Sequence, residues 1–347
     1  MVEIDGAQKS GSGALVRVAV SLCSLAGLPL RMFRIRDKRE KPGLRPQHLL
    51  AVKACAGQTS GRVEGAEVGS REIFYYPGAH INSGDFIWDI GTAGSATMLA
   101  LAVIPGALFA KGESRFTIRG GLFQDNAPTA FHMQKVVLPL LGLMGARVDL
   151  RVVRPGYVPK GNGELELVVE PAQGALMPFD KMRRGEIVSI DAIAMASHLA
   201  KQSVARRMAE RSRELLEKRG FHAQMEIIED VSAVQSGASL LVRARSDEGC
   251  LLGFDGAGKR GRSSESIAEG VVGGLLADLQ TGAVVDRFCA DQLIPFCGLA
   301  HGQSRFIAPC RTDHMESTLW LIEKILGCGT RAQGNLICID GIGFFRK

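Results

Sequence analysis

Two runs of side chains in this 347-residue chain have the types and spacing for chemistry on anions. The first is Arg34-Ile-Arg-Asp-Lys-Arg39, continued by Lys41-Pro-Gly-Leu-Arg-Pro-Gln-His48. Leu30 to Arg36 has strand character, and the two-residue period of a strand puts Arg34 and Arg36 on one face. Arg39, Lys41 and Arg45 follow in the connection, where Pro42-Gly43 signals a turn. Pro46 suits the first position of a helix through Gln47 and on to Ala56. Guanidinium forks facing the free N–H groups of a helix N-terminus suit phosphate better than an apolar ligand. A solvated basic loop is the competing reading, since a charge run is usually an exposed face.

The second run is Pro309-Cys-Arg-Thr-Asp-His314-Met-Glu316. Asp313 with Glu316 three residues later reads as a capping box, with Asp313 as N-cap of a helix to Leu326. His314 then falls in the first turn. The positive helix end disfavours imidazolium there and keeps the ring neutral and nucleophilic, while Asp313 acts in the opposite sense. A surface histidine at a helix start gives the same pattern. Arg17 stands alone among Leu15, Val16, Val18 and Ala19, so it needs a buried anionic partner or an exit to a cleft. Phe288-Cys-Ala-Asp-Gln292 opens a helix ending near Gly298, in which Phe288 offers a face to a base and Asp291 and Gln292 offer polar contacts. Ordinary amphipathic packing explains it equally. The Gly-rich stretch Asp5–Gly13 matches neither the dinucleotide fingerprint nor the Walker pattern, and reads as a tight turn between strand and helix.

The elements that must position these groups are short and recurrent. Val2–Asp5 is a strand, followed by a helix over Ala14–Ala26. The basic strand, the helix from Pro46 and a strand over Glu72–Tyr76 make a second round. Phe86–Ile90, Gly91-Thr-Ala-Gly-Ser95 and a helix over Ala96–Ala110 make a third. Arg115–Arg119, a helix over Thr129–Leu143 kinked at Pro139, and Ala146–Val152 make a fourth. The last round is the helix from His314, Gly327 and a strand over Asn335–Ile339. Such repetition points to an α/β (α+β) protein of similar βαβ-type modules. Residues 184–282 break the pattern with strands at Glu186–Ala194, Gln224–Glu229 and Ser239–Arg245. They also carry a charged helix over His198–Arg219 and a helix to Gln280 capped by Ser263 or Ser264. This segment reads as an inserted small α/β domain between 1–183 and 283–347. Arg206, Arg207, Arg211 and Arg213 among glutamates read as its salt-bridged solvent face.

Composition sets the outer bounds. The 46% hydrophobic and 22% charged content exclude a disordered chain. A net charge of +6 is compatible with a nucleic-acid or nucleotide partner. The eight cysteines form no Cys-x-x-Cys pair, and several lie in apolar runs. Free thiols in a reducing compartment are expected, hence a cytoplasmic protein. The start Met-Val-Glu-Ile-Asp lacks a secretory pattern. The longest apolar run, Thr97 to Ala110, is too short for a bilayer and contains Pro105-Gly106, so no membrane partner is expected.

In order along nearly the whole chain, Ile4-Asp-Gly-Ala-Gln8 with Arg17, Arg36-x-x-Arg39, Lys41-Pro-Gly-Leu-x-x-Gln-His48, Gly91-x-Ala-Gly-Ser95, Ala290-Asp-Gln292 and His314 resemble the RNA 3'-terminal phosphate cyclase family. The resemblance implies repeated βαβαββ-type modules, with a small α/β domain inserted before the last. It implies ATP as substrate, a divalent cation (Mg or Mn), and RNA with a 3'-phosphate end as partner. It implies a covalent histidine–AMP intermediate and an activated RNA(3')pp(5')A end that closes to a 2',3'-cyclic phosphate. His314 falls on the nucleophile, and Phe288, Cys289, Ala290, Asp291 and Gln292 fall on the nucleotide-binding segment. Pro128 falls on a proline flanking adenine, and Arg17, Arg36, Arg39 and Gln47 on polar positions lining the site. Two positions depart from the family: Ser10 stands where a glutamate usually helps hold the metal, and Leu101 where a glutamine usually stands. No protein metal ligands are therefore assigned. Non-catalytic cyclase-like proteins of ribosome assembly form an alternative, but they lack the histidine present here. Enolpyruvyl-type transferases share the module fold without resembling the Lys41–His48 run.

Overall fold

The protein is described by a computed structural model over residues 1–345. The first module runs β1 (Val2–Asp5), α1 (Gly13–Ala26), β2 (Leu30–Phe33), α2 (Pro46–Thr59), β3 (Arg62–Glu64) and β4 (Ile73–Tyr76). Its sheet order is β1-β2-β4-β3, with β1 and β2 parallel and the other pairs antiparallel. The second module repeats this with β5 (Gly84–Asp89), α3 (Ala96–Leu108) and β6 (Ser114–Gly120). A broken helix follows, then β7 (Arg147–Arg154) and β8 (Gly163–Glu170), in the order β5-β6-β8-β7. The broken helix consists of α4 (Ala130–His132), a π-helical turn over Met133–Val137 and α5 (Leu138–Leu143). The irregularity expected at Pro139 begins as this wide turn, just before the residue that lacks an N–H to donate.

The third module starts with β9 (Asp180–Lys181) and is at once interrupted. The interruption contains β10 (Ile187–Ser197), a 3-10 turn at Ala200–Gln202, α6 (Val204–Glu217), β11 (Ala223–Asp230), β12 (Gly237–Ser246), β13 (Leu251–Ala257) and α7 (Ser264–Gln280). Its sheet has its own order, β11-β10-β12-β13. The module then resumes with α8 (Arg287–Leu299), β14 (His301–Ile307), α9 (Asp313–Leu326), β15 (Gly329–Gln333) and β16 (Leu336–Ile342). Read from β9, its sheet order is β9-β14-β16-β15, the same as in the other two modules. The extra segment thus lies within the third repeat, after its first strand.

Helix α1 explains why the modules cohere. Every residue from Leu15 to Leu25 is buried, as a helix apolar on all sides must be. It packs against α2 and α3 on one side of the chain order and against α9 on the other. Arg17 is the only charge in its sequence. Six of the eight cysteines are buried and all are free. No helix among the described residues is long and apolar enough to cross a membrane.

Three local expectations are corrected. The strand over Leu30–Arg36 stops at Phe33, because Arg34 and Arg36 take left-handed backbone with φ of 51° and 57°. They do not share a strand face: Arg34 pairs with Asp5 at 3.0 Å, while Arg36 Nη1 donates to the Lys41 and Gly43 carbonyls at 2.7 and 2.8 Å. The helix over His198–Arg219 starts only at Val204, since His198 and Ser203 also have positive φ. The N-cap of α9 is Thr312, whose Oγ1 accepts from Met315 N at 3.1 Å, and Glu316 turns to Arg311. The arginine-rich face of α6 is salt-bridged, through Arg207 to Glu265 and Arg211 to Glu269 on α7.

A buried ion pair ties the interruption to both neighbouring modules. Asp286 is the N-cap of α8; its Oδ1 accepts from Phe288 N and Cys289 N, and its Oδ2 accepts from Gly253 N at 2.9 Å. His132 Nε2 lies 3.1 Å from the same Oδ2, with both side chains wholly inaccessible. Burial pulls the imidazole down, but the charge and hydrogen bond of Asp286, with Asp255 adding to them, together more than reverse this, so His132 is raised and Asp286 lowered. Removing one partner leaves a buried charge uncompensated. Asp286→Ala is expected to cost about 3–5 kcal/mol. By linkage, the His132 contribution is complete below its ordinary pKa of 6.5 and fades as pH rises through the raised value; the Asp286 contribution is complete above 3.8. Thermal unfolding should therefore show the largest deficit of the variant between these two values, narrowing on the alkaline side.

Candidate active site

The three modules surround a cavity of about 400 Å³, lined by Ser12, Arg17, Gln47, His48, Pro128, Phe288, Asp291, Gln292 and His314 among others. Its floor is cationic. Arg17, 8% exposed, donates from Nη2 to Gln292 Oε1 at 3.2 Å. Gln292 Nε2 in turn donates to Asp291 Oδ1 at 2.8 Å. No carboxylate among the described residues makes an ion pair with Arg17. Burial therefore lowers its pKa, with Asp291 compensating only in part. The same burial lifts Asp291 to about 6 against the pull of Arg17. Of the two requirements read from the sequence, an acidic partner or a cleft, the cleft is the one met, and Asp291 acts on Arg17 through its field without pairing with it.

One wall belongs to α2. His48 Nδ1 accepts from Arg45 N at 3.2 Å. Burial, with Arg36, Arg17 and Arg45 adding to it, drives its pKa down to about 3, so it is neutral. A Cβ on Gly13 would stand 2.0 Å from His48 Nε2, which explains why the first turn of α1 starts with glycine. Gln47 Oε1 accepts from Ser95 N at 2.9 Å. Ser95 caps α3 and contacts Thr97 Oγ1 at 2.8 Å, and Thr97 Oγ1 donates to the Pro128 carbonyl at 2.7 Å. Ser95, the last residue of the motif Gly91-x-Ala-Gly-Ser95, thus backs the Thr97 hydroxyl that holds Pro128. Phe288, in the first turn of α8, lines the same cavity.

His314 stands at the mouth, in the first turn of α9. Its Nδ1 faces Ser12 Oγ at 3.5 Å. Ser12 Oγ lies 3.0 Å from Ser10 Oγ, which lies 2.8 Å from Ser317 Oγ. Partial burial, then Arg39, then Arg17 lower the pKa of His314, and Asp313 opposes them more weakly. Burial and the neighbouring guanidiniums thus favour the neutral ring expected from the helix end. Arg39 reaches Ser10 O at 3.4 Å. Neither Arg36, which braces the 41–43 turn, nor Arg39 is part of the lining, and Cys289 and Ala290 are buried in the core rather than facing the cavity. Sequence reasoning did not single out Ser12, His48, Thr97 or the Gln124–Ala127 stretch of the lining. His48 was legible as a histidine three residues after an N-cap position; the others are common residue types whose role depends on tertiary placement.

The family model described as RNA 3'-terminal phosphate cyclase matches residues 8–332. The chain belongs to that family. It is 35% identical to the RNA 3'-terminal phosphate cyclase of Methylococcus capsulatus, over 96% of this chain and 97% of the relative. It is 36% identical to that of Ignicoccus hospitalis, over 94% and 93%. The solved enolpyruvyl transferase NikO from Streptomyces tendae aligns with 98% of this chain and 82% of its own at 10% identity, with a TM-score of 0.23, a likeness too slight to bear on fold or function.

Within the cyclase family the two departures have clear positions here. Leu101 is buried in α3 and does not line the cavity. Ser10 belongs to the hydroxyl chain beside His314. A divalent cation wants oxygen ligands, carboxylates above all. The cavity offers Asp125, both of whose oxygens are taken by Arg262, and Asp291, bonded to Gln292. These residues do not fit a protein cage for a cation. The buried group His132, Asp286 and Cys289 does not fit one either. Both Asp286 oxygens already accept N–H bonds, and burial raises the Cys289 thiol far above its usual range. For the pH response of the site the sign follows from Arg39. Its charge helps hold His314 below 6.5, so Arg39→Ala should move the acid limb of any His314-dependent reaction to higher pH. A pH–rate profile of wild type and variant checks this, and coincident acid limbs would contradict it.

Proposed function

We propose that this chain uses ATP to convert an RNA 3'-terminal phosphate to a 2',3'-cyclic phosphodiester, with His314 as the group that carries AMP. The observation carrying this reading is a neutral imidazole at the mouth of a cavity whose floor is a buried, under-compensated guanidinium. With Nδ1 turned to Ser12, Nε2 is the nitrogen free to attack the α-phosphorus of ATP, and pyrophosphate leaves. An oxygen of the RNA 3'-phosphate then attacks the same phosphorus and releases the imidazole. The adjacent 2'-oxygen closes on the terminal phosphorus, giving up its proton as AMP departs. Splitting the transfer this way turns one difficult displacement into easier ones, because a phosphate monoester lacks a leaving group until adenylylated. Arg17 and Arg39 offset charge on the phosphoryl groups as they move.

The base fits between Pro128 and Phe288, with Asp291 and Gln292 at its polar edge. Arg36 contributes by fixing the turn that carries Lys41, and Gln47 by fixing Ser95. Any divalent cation enters on the phosphates of ATP, since the side chains do not build a cage for it. Residues 184–282 form the inserted domain of this architecture.

Incubation with ATP labelled on the α-phosphorus tests the reading. An acid-labile, alkali-stable label should appear on the wild type and be absent from His314→Ala, and an RNA 3'-phosphate should chase it into a cyclic end. A wild type that takes no label would place the chain with the non-catalytic relatives.

A further inference from the structure

Resting on the cyclase reading, we propose that the segment 184–282 braces the nucleotide pocket from behind its lining, with Asp255 and Arg262 as positioning residues for the base slot. The two sides of that slot come from different modules: Pro128 follows β6 in the second, and Phe288 sits on α8 in the third. Strand β13, at one edge of the interrupting sheet, reaches both.

On the Pro128 side, Asp255 Oδ2 accepts from Thr129 N at 2.6 Å. Thr129 follows Pro128 directly, and the Pro128 carbonyl is held from the opposite side by Thr97. The backbone at this point is thus clamped at both its donor and its acceptor. Five residues beyond the end of β13, Arg262 donates to both oxygens of Asp125 at 3.1 and 3.0 Å, and to the Ala257 carbonyl at 2.9 Å. The stretch from Gln124 to Pro128 has no regular ladder of its own, and Asn126 holds a positive φ of 66°. Arg262 therefore anchors a cavity-lining loop whose local backbone preferences do not fix it.

On the Phe288 side, the Phe254 ring meets the Phe288 ring edge-on, with centroids 5.0 Å apart. Gly253 N donates to the N-cap Asp286 that starts α8. Three consecutive residues of one strand, Gly253, Phe254 and Asp255, thus set the spacing between the two surfaces. A slot for a planar base is sensitive to that spacing, because stacking weakens steeply with a gap of a fraction of an ångström.

The test is the ATP dependence of self-adenylylation, with inorganic tripolyphosphate as a competitor that carries no base. Asp255→Ala leaves the Thr129 N–H without its acceptor, and the half-saturating ATP concentration should rise about tenfold. Asp255→Asn keeps an acceptor oxygen and should restore most of the affinity. Arg262→Ala breaks a half-exposed pair and should give a smaller rise, about two- to fivefold, without threatening the fold. The shift should fall on half-saturation rather than on the rate at saturating ATP, and inhibition by tripolyphosphate should stay as in the wild type. Unchanged ATP dependence in both alanine variants, or equal weakening of ATP and tripolyphosphate, would overturn the proposal. Should the wild type itself take no label, the cyclase reading fails separately. Calorimetric titration of ATP against tripolyphosphate in the same variants then decides the positioning role without any adduct.

Discussion

A guanidinium held in the apolar interior, at the floor of the cavity, is the constraint around which the site is arranged. Arg17 lies on the helix that the first, second and third modules share, and burial works against its charge. Its one side-chain partner among the described residues is the neutral amide of Gln292. A buried charge without a close counter-ion is expensive. The fold tolerates it because the cavity opens beside it, where a phosphoryl oxygen can supply the missing charge. Burial first, and then the same positive field extended by Arg36, Arg39 and Arg45, disfavours the protonated forms of His48 and His314. A neutral imidazole and a cationic floor thus follow from burial and one shared electrostatic arrangement.

Assembly of the site depends on contacts between repeats. Each module alone supplies a fragment: Ser12, Arg17 and Gln47 from the first, Pro128 from the second, Phe288, Gln292 and His314 from the third. Polar bonds at the boundaries, Gln47 to Ser95, His132 to Asp286 and Asp286 to Gly253, set where these fragments meet. Each of these bonds is at least half-buried, so each also carries the cost of being left unmade. Precision at the cavity and stability of the whole therefore draw on the same interactions.

Much of this was legible in the sequence. Helix α1 announced itself by continuous apolar residues, and the turns after α1 and α9 by Gly27 and Gly327. Arg17 stood out because a charge in such a stretch has few physical explanations. The misread parts have equally physical causes. Arg34 and Arg36 look like strand residues by alternation, but the need to turn back toward Asp5 and the 41–43 carbonyls puts them in left-handed backbone. Asp313 and Glu316 fit a capping box, yet Thr312 precedes them with a side chain equally able to cap. Strands such as β9, two residues long, and β14, which opens His301-Gly-Gln, carry too little periodic signal to be seen locally; pairing with distant strands makes them. Asp255 and Asp286 are undistinguished acids in sequence; Asp286 caps α8 locally, but the links each makes across the fold depend on donors more than thirty residues away.

The account is tested most directly by comparing Arg17→Met with the wild type, using calorimetric binding of inorganic pyrophosphate together with thermal unfolding of the free proteins. Methionine fills most of the volume without the charge. If the cation is kept for an arriving phosphate, the free variant should unfold at the same or a higher temperature while pyrophosphate binding weakens by about tenfold or more. A variant that binds pyrophosphate as tightly as the wild type yet unfolds at a markedly lower temperature would show that Arg17 serves the core, and would contradict the account.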